Sequence, residues 1–334
     1  MKKIMVTGAG GFLGFEIVKQ LCQLGYEVVG LQRSRYQKLA DLGVAQVSTS
    51  LTDFEAVKKA MIGCDGVFHV AAKAGVWGSY ASYYQANVLG TEHVINAAVA
   101  CGVKRLVYTS SPSVTFAGVD ELGVNESVPY AKKFLAHYPK TKAMAERLIL
   151  KANSRGLKTV ALRPHMIWGP GDTNLVPRVI ARKKMGKLKI VGNGQNRVDH
   201  TYITNASYAH IQAYDALCEE QRCAGKAYYV SNGEPVAMKE MLNRILEAGG
   251  LEPLTKQIPA GLAYGVGCIL ESVYTLLRIK SEPLMTRFVA KQLTTSHYYD
   301  ISQARRDFGY APRVNLDQGM AMLSDSLQRA SDVC

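Results

Sequence analysis

Short β-branched runs and helical patterns take turns through the first half of this chain, and the glycine loop Gly8-Ala9-Gly10-Gly11-Phe12-Leu13-Gly14 joins the first pair. Lys3 to Thr7 reads as a strand, Phe12 to Leu24 as a helix, Glu27 to Leu31 as a strand and Phe54 to Met61 as a helix. Gly66 to Ala71, Arg105 to Thr109 and Thr159 to Leu162 continue as buried strands, with helices at Asn87 to Cys101 and from about Thr141 to Ser154. Strict alternation of this kind means right-handed crossovers and a parallel sheet covered on both faces. The expected class is α/β, a Rossmann-like doubly wound sheet that binds a nucleotide. Residues 1–170 form the dinucleotide-binding domain in this reading, with 198–230 returning to it. Residues 171–197 and 231–334 form a smaller, discontinuous substrate-binding region, with a helix near Met238 to Ala248.

The chain has 334 residues, 48% hydrophobic and 20% charged, enough for a substantial core and a composition that excludes disorder. Seven cysteines without a CxxC pair lie mostly in apolar surroundings, as reduced thiols do, so a cytoplasmic address is the default. Met1 to Gly14 carries two lysines before an apolar run, yet it is glycine-rich and reads as a strand and turn, not a leader. Gln257 to Leu270 is uncharged but falls short of the ~20 apolar residues a membrane span requires. Contact with a membrane surface, an alkyl substrate or a partner stays open for it. The seven histidines show no ligand spacing, so no metal is expected.

The glycines stand at 8, 11 and 14, where absent β-carbons let the backbone approach a pyrophosphate seated on a helix N-terminus. NAD sites usually place an acid about 20 residues further on, to hold a ribose hydroxyl. Here Gln32-Arg33-Ser34-Arg35 follows the second strand, and two guanidinium groups suit a 2′-phosphate. The reading is NADPH over NADH; the plainer alternative is a solvated basic loop.

Tyr138 and Lys142 form a YxxxK element, four residues apart on one helical face. A phenol titrates near ~10, and a neighbouring ammonium is expected to lower that value toward the working range. Ser110 and Ser111 follow a buried strand at the sheet edge where ligands bind, and Ser111 is the better placed to hold a substrate carbonyl.

Together these residues resemble the extended short-chain dehydrogenase/reductases. The resemblance rests on TGAGGFLG (7–14), HVAAKAG (69–75), YYQANVLGT (83–91), VYTSSPSV (107–114), the Tyr138/Lys142 pair, ALRPHMIWGPGD (161–172) and YDISQARRDFGYAP (299–312). It implies a catalytic triad of Tyr138, Lys142 and Ser111, with Asn87 in support and Lys142 also on the nicotinamide ribose. It also implies cofactor contacts from Gly8, Gly11, Phe12, Leu13, Gly14, Arg33, Arg35, Leu51, Ala71, Ala72, Lys73, Asn87, Pro164 and Met166. One departure is Ser50, where the family commonly carries Asp before Leu51.

Within that family the chain is similar to the 3β-hydroxysteroid dehydrogenase branch. The KAGVWG run at 73–78 resembles bacterial reductases of 2-alkyl-3-oxoalkanoic acids in long-chain olefin biosynthesis. The implied substrate is a hydrophobic β-keto acid, with Trp77, Tyr80, Tyr83, Tyr84, His165 and Trp168 as candidate pocket residues. The apolar stretch from Gln257 to Leu277 is a candidate cover for two alkyl chains, and packing against a partner is its rival role. A sterol dehydrogenase, a nucleotide-sugar epimerase or dehydratase, and a silent NADPH-binding scaffold are the other readings. A homodimer and a complex with other enzymes of the olefin pathway stay open.

Forty Lys plus Arg against 27 Asp plus Glu leave +13. Residues 130–190 hold fifteen of those cations against Glu146 and Asp172, so 15 − 2 = +13 sits there and the remainder balances at 25 against 25. No nucleic-acid motif accompanies the run, and no nucleic-acid partner is expected. The charge reads as a field for an anionic cofactor and a fatty carboxylate, or for an acidic partner or membrane surface.

Overall fold

The computed structural model describes residues 2–154, 156–219 and 222–332; Arg155 and Cys334, counted above among the cations and thiols, lie outside the described residues. Seven parallel strands make the main sheet: β1 (Lys3–Thr7), β2 (Glu27–Gln32), β3 (Ala45–Ser48), β4 (Gly66–His69), β5 (Arg105–Thr109), β6 (Lys158–Pro164) and β7 (Lys226–Val230). Their order is β7-β6-β5-β4-β1-β2-β3, with the reversal beside β1 that opens a ligand crevice at the carboxyl ends of the strands. The register aligns those ends: Thr7 pairs with His69, His69 with Tyr108, and Thr109 with Leu162.

The central strands are buried on both faces, which is why they read as continuous apolar runs without alternation. Helices α1 (Phe12–Gln23), α2 (Phe54–Met61), α3 (Gly90–Ala100), α4 (His137–Lys151), α5 (Leu175–Lys184) and α6 (Ile203–Cys218) follow in chain order. One core cluster joins α1 and α6 to one face of the sheet, through Leu13, Ile17, Leu21, Ile211 and Tyr214. A second joins α2, α3 and α4 to the other, through Val57, Met61, Val94, Ala97, Ala145 and Ile149. Helix α4 starts four residues earlier than its sequence pattern predicts. Pro139 sits in its first turn, where the missing N–H has no intrahelical partner to lose.

The rest of the chain builds over the carboxyl ends of the strands. A four-stranded sheet joins Val236–Ala237, Arg197–Val198, His297–Tyr299 and Glu121–Val124. Around it lie α7 (Met238–Ala248), α8 (Ala260–Leu276) and α9 (Arg287–Thr294). Helix α8 packs on α9 by one side. Its outer side carries an exposed apolar stripe of Leu262, Val266, Ile269, Val273 and Leu276, spaced by three or four residues. Among the described residues, no helix is long and apolar enough to cross a membrane.

Candidate active site

The glycine loop turns from β1 into α1. Gly8 has φ +69°, and a Cβ there would lie 2.9 Å from the Ala71 Cα; a Cβ on Gly14 would lie 2.1 Å from the Gly8 carbonyl oxygen. The loop therefore folds only with bare backbone at both positions. Gly11 caps α1 without a side-chain hydrogen bond, and the Phe12 and Leu13 amides lie in the first turn, where a helix has no carbonyl to offer. That is the donor set a pyrophosphate requires.

Behind the loop, Thr7 Oγ1 accepts from the Val70 and Ala71 amides, both at 3.1 Å, and meets His69 Nδ1 at 2.8 Å. His69 Nε2 reaches Thr91 Oγ1 at 2.9 Å. Burial, reinforced by Lys142, pushes the His69 imidazole down to about 3, so it is a neutral spacer that sets how closely residues 70–72 approach Gly8. Ala71 and Ala72 line that edge. Leu51 packs on Gly90, and its carbonyl accepts from His93 Nδ1 at 2.9 Å.

Arg33 and Arg35 are exposed just past β2. Gln32 is buried where an acid would stand in an NAD site, and its Oε1 has no hydrogen-bond partner. An unpartnered amide oxygen beside two exposed guanidiniums fits a ribose hydroxyl and a phosphate on it. Tyr36 adds an aromatic ring over Gly10, its backbone clamped by Gln46 at 2.9 and 3.1 Å; the sequence reading missed both.

The other wall comes from α4. Tyr138 and Lys142 face the sheet four residues apart, and Ser111 caps the short turn Pro112–Val114 after β5. Burial raises the Tyr138 phenol above its ordinary value and the adjacent Ser111 hydroxyl partly offsets this, so the phenol is protonated at neutral pH. Here the structure corrects the expected Tyr/Lys coupling. The Lys142 ammonium donates to the Thr109 carbonyl oxygen at 2.5 Å and lies 4.2 Å from the Tyr108 ring centroid; among the described residues it makes no hydrogen bond to the phenol. Burial pushes Lys142 down to about 7, and Glu146 acts against that shift.

Asn87 falls in a π-helical stretch, Tyr84–Leu89, that runs into α3. The extra residue per turn aims its carboxamide across the site. Oδ1 accepts from the Lys73 amide at 2.7 Å, while Nδ2 donates to the Lys73 carbonyl and to Thr141 Oγ1, each at 3.1 Å. Asn87 thus ties residue 73 to α4 one position before Lys142. Pro164 ends β6, and Met166 follows with φ 42°, a left-handed conformation that side chains adopt only under constraint.

Of two cavities on this side of the molecule, one reaches Ser111 and Tyr138. The smaller, about 310 Å³, is lined by Ser111, Tyr138, His165, Met166 and an apolar wall from α7 and α9: Met238, Met241, Leu242, Ile245, Phe288 and Leu293. His297 Nε2 donates to the Gln292 carbonyl at 2.9 Å, so its Nδ1 accepts from His165 Nε2–H at 2.7 Å. Burial holds both imidazoles below their ordinary value, and the His165 proton is committed to its neighbour. Tyr138 is then the cavity's available proton donor. The larger cavity, about 1080 Å³, lies between residues 73–82, residues 135–137 and α8 with the segment after it, and Trp77 lines it.

Four aromatic candidates fall elsewhere. Trp168 is fully buried and donates to His200 Nδ1 at 3.1 Å, as part of the core. Tyr80 and Tyr84 lie on the outer surface with ring centroids 5.8 Å apart and line neither cavity. Tyr83 is buried behind Trp77, donating to its carbonyl at 3.1 Å. The small cavity's aliphatic wall was missed, because α7 and α9 reach it from more than a hundred residues away.

Glycine loop, parallel sheet and the Ser/Tyr/Lys cluster define an oxidoreductase of the extended short-chain dehydrogenase/reductase class. A family model, 3-beta hydroxysteroid dehydrogenase/isomerase, matches residues 5–259, and the chain belongs to that family. It is 54% identical over 330 residues to the 2-alkyl-3-oxoalkanoate reductase of Shewanella oneidensis, covering 96% of this chain and 85% of that one. It is 50% identical to the protein of the same name from Stenotrophomonas maltophilia, covering 97% and 99%. Among solved structures, MoeE5 in complex with UDP-glucose and NAD superposes with a TM-score of 0.75 at 26% identity, over 98% of this chain and 99% of that one.

Proposed function

We propose that the protein reduces a 2-alkyl-3-oxoalkanoic acid to the 2-alkyl-3-hydroxy acid, with NADPH as reductant. The observation that carries this is the placement of Tyr138 and Ser111 together on the lining of a cavity with an aliphatic wall and no charged side chain. A proton donor facing an aliphatic wall of Met238, Met241, Leu242, Ile245 and Leu293 suits ketone reduction on a fatty substrate. The two reductases at 54% and 50% identity support the substrate class.

When bound, NADPH supplies the hydride to C3. Ser111 holds the carbonyl oxygen by a hydrogen bond, and Tyr138 gives that oxygen its proton as negative charge develops there. Lys142 and the Asn87 clamp fix the floor beneath them, and Lys142 is the group that would take the nicotinamide ribose. The Phe12 and Leu13 amides would hold the pyrophosphate, and Leu51, Ala71, Ala72, Lys73, Pro164 and Met166 would contact the rest of the cofactor. Gln32, Arg33 and Arg35 would take the adenosine ribose and its 2′-phosphate.

Tyr138→Phe is expected to lower kcat/KM for ketone reduction by roughly 10²–10⁴-fold while leaving the Kd for NADPH close to wild type. Full activity in that variant would overturn the assignment and favour a scaffold. In the same assay kcat/KM favours NADPH over NADH, and Arg33→Ala with Arg35→Ala erases the preference; a wild-type preference for NADH would sink the cofactor reading.

A further inference from the structure

Helix α8 turns one apolar side to solvent. Leu262, Val266, Ile269, Val273 and Leu276 follow at steps of three or four residues and so form a single stripe, with Ile269 65% and Leu276 82% exposed. The stripe cannot roll inward. On another side of the helix Gly267 meets the start of α9 so closely that a Cβ there would lie 2.8 Å from the Thr286 carbonyl carbon, which fixes the rotation of α8. A contiguous apolar strip on an otherwise polar surface marks a place where something docks.

Charge says what docks. Both ends of α8 are tied to the basic run: before it, Gln257–Ile258 pairs with Ile190–Val191 and brings Lys256 beside Lys189; after it, Arg178 pairs with Glu282 and Arg182 donates to the Leu284 carbonyl at 3.2 Å. Residues 178–190 and 252–287 together hold ten Lys or Arg against three Glu, 10 − 3 = +7. Two of those three acids are already paired, Glu271 with Arg287 and Glu282 with Arg178. Lys189 and Lys256 are exposed before the stripe begins, and Arg278 and Lys280 after it ends. An apolar stripe bracketed by cations is the pattern of a helix lying in the plane of an anionic lipid surface, its aliphatic side chains below the headgroups and its cations level with the phosphates.

The larger cavity favours lipid over an acidic protein. Leu276 belongs both to the stripe and to the lining of that cavity, together with Thr275, Arg278, Ile279 and Lys280. Its rim therefore meets the docking face, where a bilayer would offer amphiphiles and a protein would form a cap. We propose that this face of the molecule docks on an anionic lipid bilayer, with α8 in the plane of the headgroups, Leu262, Ile269 and Leu276 inserted, and Lys189, Lys256, Arg278 and Lys280 on the lipid phosphates. Docking of this kind goes beyond the reaction and holds whichever ketone is reduced.

The test is co-sedimentation of the purified full chain with vesicles of phosphatidylcholine alone and of phosphatidylcholine mixed equally with phosphatidylglycerol. Wild type is expected to sediment with the mixed vesicles and to stay in the supernatant with the neutral ones. Leu262→Ser with Ile269→Ser lowers partitioning by about tenfold or more at low and at high salt. Val266→Ser with Val273→Ser replaces that pair if it melts below wild type. Lys189→Gln with Lys256→Gln lowers partitioning by about fivefold for each charge at low salt, and the difference from wild type closes at high salt. Sedimentation unchanged by the loss of the apolar side chains, or equal on both lipids, overturns the assignment. Wild type left in the supernatant with the mixed vesicles overturns it too, and a dimer that Leu262→Ser with Ile269→Ser splits would then give the face to a second copy.

Discussion

Lys142 shows how much of this site can be read from residue types and how much depends on packing. Its place four residues after Tyr138, and the serines at a strand end, are visible in the chain because local geometry puts them there. What its ammonium touches is not visible, since Thr109 and Tyr108 come from a strand more than thirty residues away. The same applies to His165, whose proton is committed through His297, 132 residues on. Burial lowers Lys142 to about 7 in the folded protein, below its unfolded value near ~10.4. The folded state therefore bears the cost of a buried ammonium at and below neutral pH, and that cost fades as pH rises toward the unfolded value. Lys142→Met is expected to stabilise the fold at pH 7 by on the order of 1–3 kcal/mol, less at pH 10, while ketone reduction collapses. Urea denaturation of both proteins at the two pH values checks this, and a variant less stable at pH 7 would refute it.

Helix α4 is the element that organises the cluster, and its third stripe residue is Glu146, one more turn beyond Tyr138 and Lys142. Glu146 takes two hydrogen bonds from Arg163 on β6, at 2.6 and 3.0 Å, and one from the Tyr130 hydroxyl at 2.7 Å, all in the interior. This pair bolts α4 to the sheet at a fixed rotation, so that the phenol faces Ser111. The sequence shows the four-residue spacing but not the partner, which arrives with β6. It also hides β3, whose four residues, two half-exposed and two exposed, carry no apolar run. Burial works against ionisation of Glu146, and Arg163 outweighs it, so the carboxyl lies below its ordinary range. A lowered carboxyl value gives stability that is present above the unfolded value and lost as pH falls through the folded one. Glu146→Gln leaves the Arg163 charge buried without its counter-ion and is expected to cost about 3–5 kcal/mol at pH 7. The loss should shrink on acidification, where wild type loses the same interaction; a urea midpoint near wild type at pH 7 would contradict the assignment.

At the scale of the molecule, the excess positive charge of residues 130–190 separates into groups with different work. Of the fifteen cations in residues 130–190, Lys142 and Arg163 are buried, and none of those on α5 lines either cavity. Arg178 pairs with Glu282, Arg182 donates to the Leu284 carbonyl at 3.2 Å, and Lys183 to the Pro253 carbonyl at 3.0 Å. The first two bonds hold α5 against the 278–287 segment, whose Arg278, Lys280 and Arg287 line the larger cavity from outside the basic run. Lys183, Lys184 and Lys187 line neither cavity, so any effect they have on a carboxylate acts across solvent. At that range a charge is screened within about 10 Å at 0.1 M salt, whereas a direct ion pair in the cavity is screened far less. Replacing all three with Gln is therefore expected to raise KM for the acid severalfold at low ionic strength and to leave it near wild type at high salt, with kcat little changed, because only encounter is slowed. A KM shift of equal size at both salt concentrations would place these lysines in contact with substrate, and the field reading would fall.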